Sequence, residues 1–125
     1  MPLWNPFRKT DMSGEPTAIT TISRRLQQRR EGYKESLQQR ADLMEKDTAL
    51  LQQIAARDAH LDVATAGEQE ELRREQELLR QERGPISTRL QEIEASLPRR
   101  VELIQEDEYL LEEAKFRQKI SDREG

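Results

Sequence analysis

The chain has one histidine, His60, and no cysteine in 125 residues. Disulfides, thiolate metal ligands and a cysteine nucleophile are therefore excluded. A metal site would have to come from carboxylates, yet neither an Asp-x-Asp-x-Asp-Gly run nor a His-Glu-x-x-His pattern occurs. His60 thus reads as a helix-surface residue near a turn. The glycines (Gly14, Gly32, Gly67, Gly84, Gly125) are too scattered to form a phosphate-cradling loop. No serine or threonine has a base in a recognisable arrangement. With 25 acidic residues, carboxylate pairs at short spacing carry no information. Catalytic acids also need a concave, partly dry pocket to shift their pKa. Arg24-Arg-Leu-Gln-Gln-Arg-Arg30 could contact phosphates, but a nucleic-acid binder presents a basic face overall. Here the net charge is −4, and residues 67–125 carry eleven basic against sixteen acidic groups. The expectation is a protein that is not an enzyme, with no cofactor, no metal, no small-molecule substrate and no nucleic-acid partner.

The first sixteen residues hold the most informative chemistry. Aromatics make up 4% of the chain, yet its single Trp and one of its two Phe fall within the first seven positions. Leu3, Trp4 and Phe7, followed by Arg8 and Lys9, are the residue types that anchor protein interfaces. Pro2, Pro6, Gly14 and Pro16 keep this segment out of a helix. Residues 1–16 therefore read as an extended arm that docks in a groove on a partner. Two alternatives stand beside that reading. The arm could fold back near Phe116 and Ile120, or make shallow contact with an anionic membrane surface.

The composition changes at Thr17 to Gln, Glu, Arg, Leu and Ala, the strong helix formers. Charged residues reach 37% and apolar ones only 34%, which suits long helices paired along a narrow stripe. Thr17 is the expected cap, with Thr20 and Thr21 as alternatives. Apolar positions then run Ile19, Ile22, Leu26, Tyr33, Leu37, Met44, Leu51, Ile54 and Leu61. Arg29, Arg40, Asp47 and Asp58 fill the gaps to give steps of three or four, the helical period. The step from Tyr33 to Leu37 implies a stutter. Gly67 marks a helix end in the segment Asp62-Val-Ala-Thr-Ala-Gly-Glu. A second run follows through Leu72, Leu79, Ile86, Leu90, Ile93, Leu97, Val101, Ile104 and Leu111. Pro85 and Pro98 predict kinks or short breaks in it. The expected elements are a helix over 17–65, a turn at 62–68, and helical pieces at 68–83, 85–97 and 99–121, within a hairpin spanning 17–122. No apolar stretch is long enough to span a bilayer.

Charge chooses between one long rod and a fold-back near residue 67. Arg24, Arg25, Arg29 and Arg30 cluster early, and Glu102, Glu106, Asp107, Glu108, Glu112 and Glu113 cluster late. Folding back sets positions whose numbers sum to about 134 opposite each other, so the two clusters meet. The same register places Leu61 by Leu72, Ile54 by Leu79, Met44 by Leu90, Leu37 by Leu97, Tyr33 by Val101 and Ile22 by Leu111. A parallel rod would instead oppose the arginines to their own copies. The predicted fold is an all-α, antiparallel two-helix coiled-coil hairpin with an extended N-terminal arm and a second helix kinked near Pro85 and Pro98. Polar layers at Arg57, Gln76 and Arg83 interrupt its packing. Leu43, Leu50, Leu78, Leu103 and Leu110 lie off the main stripe. They either widen it or form a second seam for another helix.

The function expected is structural: a hairpin that bridges or scaffolds components of a larger complex, such as a virion or secretion apparatus. Its partners are proteins, with self-association among the options, and its place is the cytoplasm or a particle assembled there. A peripheral membrane-associated protein and an export-chaperone or stalk-like coiled coil are the alternatives.

Overall fold

A computed structural model describes residues 17–124. The expected arm, with Leu3, Trp4, Phe7, Arg8 and Lys9, lies outside the described residues. Two helices follow, α1 over Ala18–Leu61 and α2 over Ala66–Glu124. Thr17 caps α1 as its hydroxyl suggests: Thr20 N–H donates to Thr17 Oγ1 at 3.1 Å. At the start of α2, Thr65 and Glu68 form a reciprocal capping box. Thr65 N–H donates to Glu68 Oε1 at 2.8 Å, and Glu68 N–H donates to Thr65 Oγ1 at 3.3 Å.

The turn is shorter than the sequence suggested, occupying 62–65, and Gly67 is not the helix end. Gly67 sits in the first turn of α2, with no left-handed φ and open space around it. The carbonyls at the end of α1 are satisfied by a side chain instead. Gln69 Nε2 donates to Leu61 O at 3.1 Å and to Ala64 O at 3.4 Å. A polar side chain from the next helix thus does the work expected of a left-handed glycine.

The prolines do not divide α2 into pieces. The helix runs without a break through both Pro85 and Pro98. Each proline removes one N–H, from the carbonyl four residues earlier. Those carbonyls belong to Gln81 and Glu94, both exposed residues that water can reach. Gly84, just before Pro85, has no Cβ to clash with the ring. The Thr88 hydroxyl also donates back to Gly84 O at 3.1 Å.

The chain divides into two compact units, each an antiparallel pair of helical segments. One joins the part of α1 up to Lys34 to α2 from Arg99 onward; the other is Glu35–Pro98 and contains the turn. The inward row on each helix follows a three–four alternation. On α1 it runs Ile22, Leu26, Arg29, Tyr33, Ser36, Arg40, Leu43, Asp47, Leu50, Ile54, Arg57 and Leu61, with Ile19, Arg25 and Gly32 half-buried as well. On α2 it includes Leu72, Gln76, Leu79, Arg83, Ile86, Leu90, Ile93, Leu97, Arg100, Ile104, Asp107 and Leu111.

The stutter inferred at Tyr33–Leu37 is therefore absent. Ser36 and Leu43 hold the inward positions that the sequence reading gave to Leu37 and Met44, and Leu50 replaces Leu51. That reading followed the leucines. Because Ser36 and Arg57 are polar at inward positions, it slipped one residue between Tyr33 and Leu37. The antiparallel register itself was legible, since the cross-helix contacts Arg40–Glu94, Arg57–Glu75 and Asp58–Gln76 join positions whose numbers sum to about 134.

Candidate interaction surface

Each unit is held by few apolar contacts and many ionic ones. Among the described residues only Leu26, Ile54 and Ile93 are buried apolar side chains, at 2%, 9% and 3% exposure. Ser36, Gln76 and Asp107 are buried polar ones. In the unit with the chain termini, Asp107 is fully enclosed. Arg25 Nε donates to Asp107 Oδ1 at 3.0 Å and to Oδ2 at 3.1 Å, and its Nη2 donates to Oδ1 at 2.6 Å. Arg29 Nη1 donates to Asp107 Oδ2 at 3.0 Å and to Leu103 O at 3.3 Å. Arg30 pairs with Glu108 at 2.8 Å. The basic and acidic clusters meet, as their placement in the sequence required. The Asp107 hydrogen bond raises the Arg25 pKa above its ordinary value. Beside this centre, the Nε of Arg100 is buried without a hydrogen-bond partner. Gly32 leaves room for that guanidinium, since a Cβ there would stand 3.1 Å from Arg100 Nη1.

In the unit with the turn, polar side chains on both helices fix the level of one against the other. Arg83 reaches Asp47 through two bonds of 2.7 and 3.0 Å. That contact draws the Asp47 carboxylate below its usual pKa and raises Arg83. Gln76 Nε2 donates to Ile54 O at 3.0 Å and to Asp58 Oδ1 at 2.7 Å. Arg57 pairs with Glu75 at 2.8 Å, and Arg40 with Glu94 at 3.1 Å. The polar layers foreseen at Arg57, Gln76 and Arg83 are thus cross-helix locks. At the turn, the Thr65 backbone N–H holds the Glu68 carboxylate below its ordinary range.

The leucines expected either to widen the hairpin's stripe or to form a second seam do not share one place. Leu43 and Leu50 belong to the hairpin's own inward row, and Leu103 and Leu110 are half-buried beside it on α2. Leu78 is 59% exposed. The exposed apolar row on α1 is made by Leu37, Met44 and Leu51, at 37%, 48% and 44% exposure. Sequence reasoning had these residues in hand but assigned them to the wrong side. The signal that finds them is the unbroken heptad, which leaves them one position outside the seam. Alternating with them on the same helix face are Ala41, Thr48 and, beyond Leu51, Ala55, all exposed. In a chain that is 37% charged, six successive face positions from Leu37 to Ala55 carry no charge.

Phe116 and Ile120, the suggested landing place of the arm, are both exposed, as is Tyr109. His60 lines a shallow groove at the turn with Val63, Ala64, Glu68 and Leu72. Among the described residues there is no group of three or more potential metal ligands. No described helix is long and apolar enough to cross a membrane. Compared with known proteins, the chain matches no family model, no curated protein sequence and no solved structure.

Proposed function

We propose that this chain is a non-enzymatic structural or assembly protein that bridges components of a larger complex. The observation that carries the reading is the uncharged face Leu37–Ala55 on α1, turned away from the hairpin seam. Apolar surface of that kind on a helix whose own seam is already paired serves contact with another chain. The aromatic arm, through Leu3, Trp4, Phe7, Arg8 and Lys9, supplies a second attachment point of a different kind. Two attachment points of different kinds suit a bridge better than a catalyst. The protein acts in the cytoplasm, or in a particle assembled there.

Native-size fractionation of the tagged chain from its own cells tests the proposal. The wild-type chain is expected in one large complex of fixed composition. Replacing both Trp4 and Phe7 with Ala should release it while leaving its helical circular dichroism unchanged. A chain that fractionates alone in both forms overturns the bridging role. Binding of the purified chain to anionic vesicles, lost in the same variant, would replace it with a membrane role.

A further inference from the structure

We propose that residues 1–16 of the free chain dock on their own hairpin, with Trp4 and Phe7 lying along a groove at its open end that Leu103 and Leu110 line. The docking needs no partner and stands whether or not the bridging role does. A partner that takes the arm must first displace it from this groove, and that consequence rests on the bridging role.

The groove forms because α2 outlasts α1. The inward row of α2 continues past Leu111 through Ala114, Gln118 and Ser121, whereas α1 begins only at Ala18. Those three residues are small or polar, and every position from Lys115 to Glu124 is exposed. Ala18, Ile22, Leu110 and Ala114 are left as the apolar lining of an open groove on one flank of the seam. Leu103 continues that flank one heptad earlier, half-buried like Leu110.

The tether names the occupant first. Sixteen residues precede Thr17, and Ala18 itself lines the groove, so the arm joins α1 at the groove's mouth. Leu110 stands about 10 Å along α2 from Arg117, at about 1.5 Å per residue. The chain from Gly14 back to Phe7 can span about 23 Å when extended. A reversal at Ser13-Gly14, a dipeptide that favours turns, brings Phe7 to Leu110 with chain to spare. A short tether of this kind holds the arm at an effective concentration on the order of millimolar, which favours its own groove over that of a second copy.

Spacing supports the same occupant. Pro6 fixes its own φ and biases Asn5 toward an extended polyproline conformation. With about three residues per turn and a rise of ~3.1 Å, Trp4 and Phe7 then share one side, about 9 Å apart. Leu103 and Leu110 are two helical turns apart, about 10 Å. The two pairs match.

Charge completes the fit. Glu106 lies between the two leucines and is exposed. The neighbouring acids Glu102, Asp107, Glu108 and Glu113 are paired with Arg99, Arg25, Arg30 and Arg117. Glu106 has no such pair among the described residues, and Arg25, whose charge it feels, is already committed to Asp107. Arg8 and Lys9 follow Phe7 directly and supply the positive charge this flank lacks.

Trp4 is the only Trp, so its fluorescence reports on the arm alone. In the folded full chain at micromolar concentration, its emission should lie to the blue of the urea-unfolded chain. Quenching by acrylamide should be several-fold weaker, and both readings should hold across a dilution series. Leu110→Gln should shift the emission to that of the unfolded chain and restore quenching. Leu78→Gln, at a site 59% exposed and away from the groove, should change neither. Phe7→Ala, outside both helices, should also expose Trp4 and decides the matter if circular dichroism shows that Leu110→Gln disturbs the fold. Water-exposed emission from the folded wild-type chain overturns the proposal. Protection that survives both Leu110→Gln and Phe7→Ala overturns it as well. Protection lost on dilution would place the arm on a second copy and overturn the intramolecular docking.

Discussion

Replacing Asp107 with Ala should unfold the hairpin more readily than any single truncation of an exposed leucine. Its carboxylate is fully buried and accepts from Arg25 and Arg29. Breaking a buried ion pair from one side costs ~3–5 kcal/mol when the surviving charge stays buried. Here that upper range does not apply. The Arg25 and Arg29 side chains keep 42% and 29% exposure, and Arg29 retains the Leu103 carbonyl. Both guanidiniums can therefore turn toward water once the carboxylate is gone. The expected loss for Asp107→Ala is about 2–3 kcal/mol, close to that of losing one or two charged hydrogen bonds. Urea unfolding followed at 222 nm reads it directly. With a slope of about 1–1.5 kcal/mol per molar for a chain of this size, the midpoint should fall by roughly 2 M. Asp107→Leu combined with Arg29→Leu should recover most of the stability, since an apolar layer of similar volume packs without desolvation. A loss below about 0.5 kcal/mol for Asp107→Ala would refute the reasoning and show that the centre behaves as an exposed ion pair.

Stability should fall on acidification, because Asp47 and Glu68 both titrate below their ordinary values in the folded chain. Their contribution is complete above the unfolded carboxylate values of about 4 and is lost as pH falls through the lower folded values. Urea midpoints from pH 7 to pH 2 check this, and Asp47→Asn with Glu68→Gln should flatten the acid limb. Thr65→Ala should cost about 1 kcal/mol by opening the capping box, read by thermal melting. Gly67→Ala should stabilise by about 0.5–1 kcal/mol, since nothing lies within 4 Å of the added Cβ and no left-handed φ is required. Pro98→Ala restores a helix hydrogen bond at an exposed position and should raise stability by about 2 kcal/mol. Arg100→Met should stabilise by about 1 kcal/mol, as it removes a buried nitrogen that has no partner.

The antiparallel pairing of two helices was legible because charge is a long-range signal along a helix. Arg25, Arg29 and Arg30 could be matched to Asp107 and Glu108 without knowing which residue faced inward. The helix period and the Thr17 cap were legible for a similar reason, since each depends on local chemistry alone. The inward row was harder to read. Arg40 and Asp47 were placed on it correctly, but Ser36 and Arg57 were not, and with Ser36 polar the hydrophobic pattern pointed to Leu37, Met44 and Leu51, one step from Ser36, Leu43 and Leu50. Only cross-helix partners, such as Arg83 for Asp47 and Glu75 for Arg57, make the polar residues tolerable inside. Sequence spacing alone does not reveal such partners. The helix end misassigned to Gly67 has the same origin, because the group that satisfies the α1 carbonyls, Gln69, comes from the following helix. The candidate interface emerged by subtraction. Once the polar seam is recognised, the apolar row is what remains outside.

Everything about this fold follows from α1 and α2 folding back on each other within one chain, with the basic and acidic clusters at one level. Dyes on Arg24→Cys and Glu112→Cys test this most directly, because both positions are exposed and the chain has no native cysteine to compete. Labelled protein would be diluted into excess unlabelled chain, so that any transfer arises within one molecule. The hairpin predicts high energy transfer, with the dyes separated by roughly 10–25 Å, one interhelical spacing plus linkers. A single continuous helix would hold them on the order of 130 Å apart at 1.5 Å per residue. The absence of transfer would contradict the account.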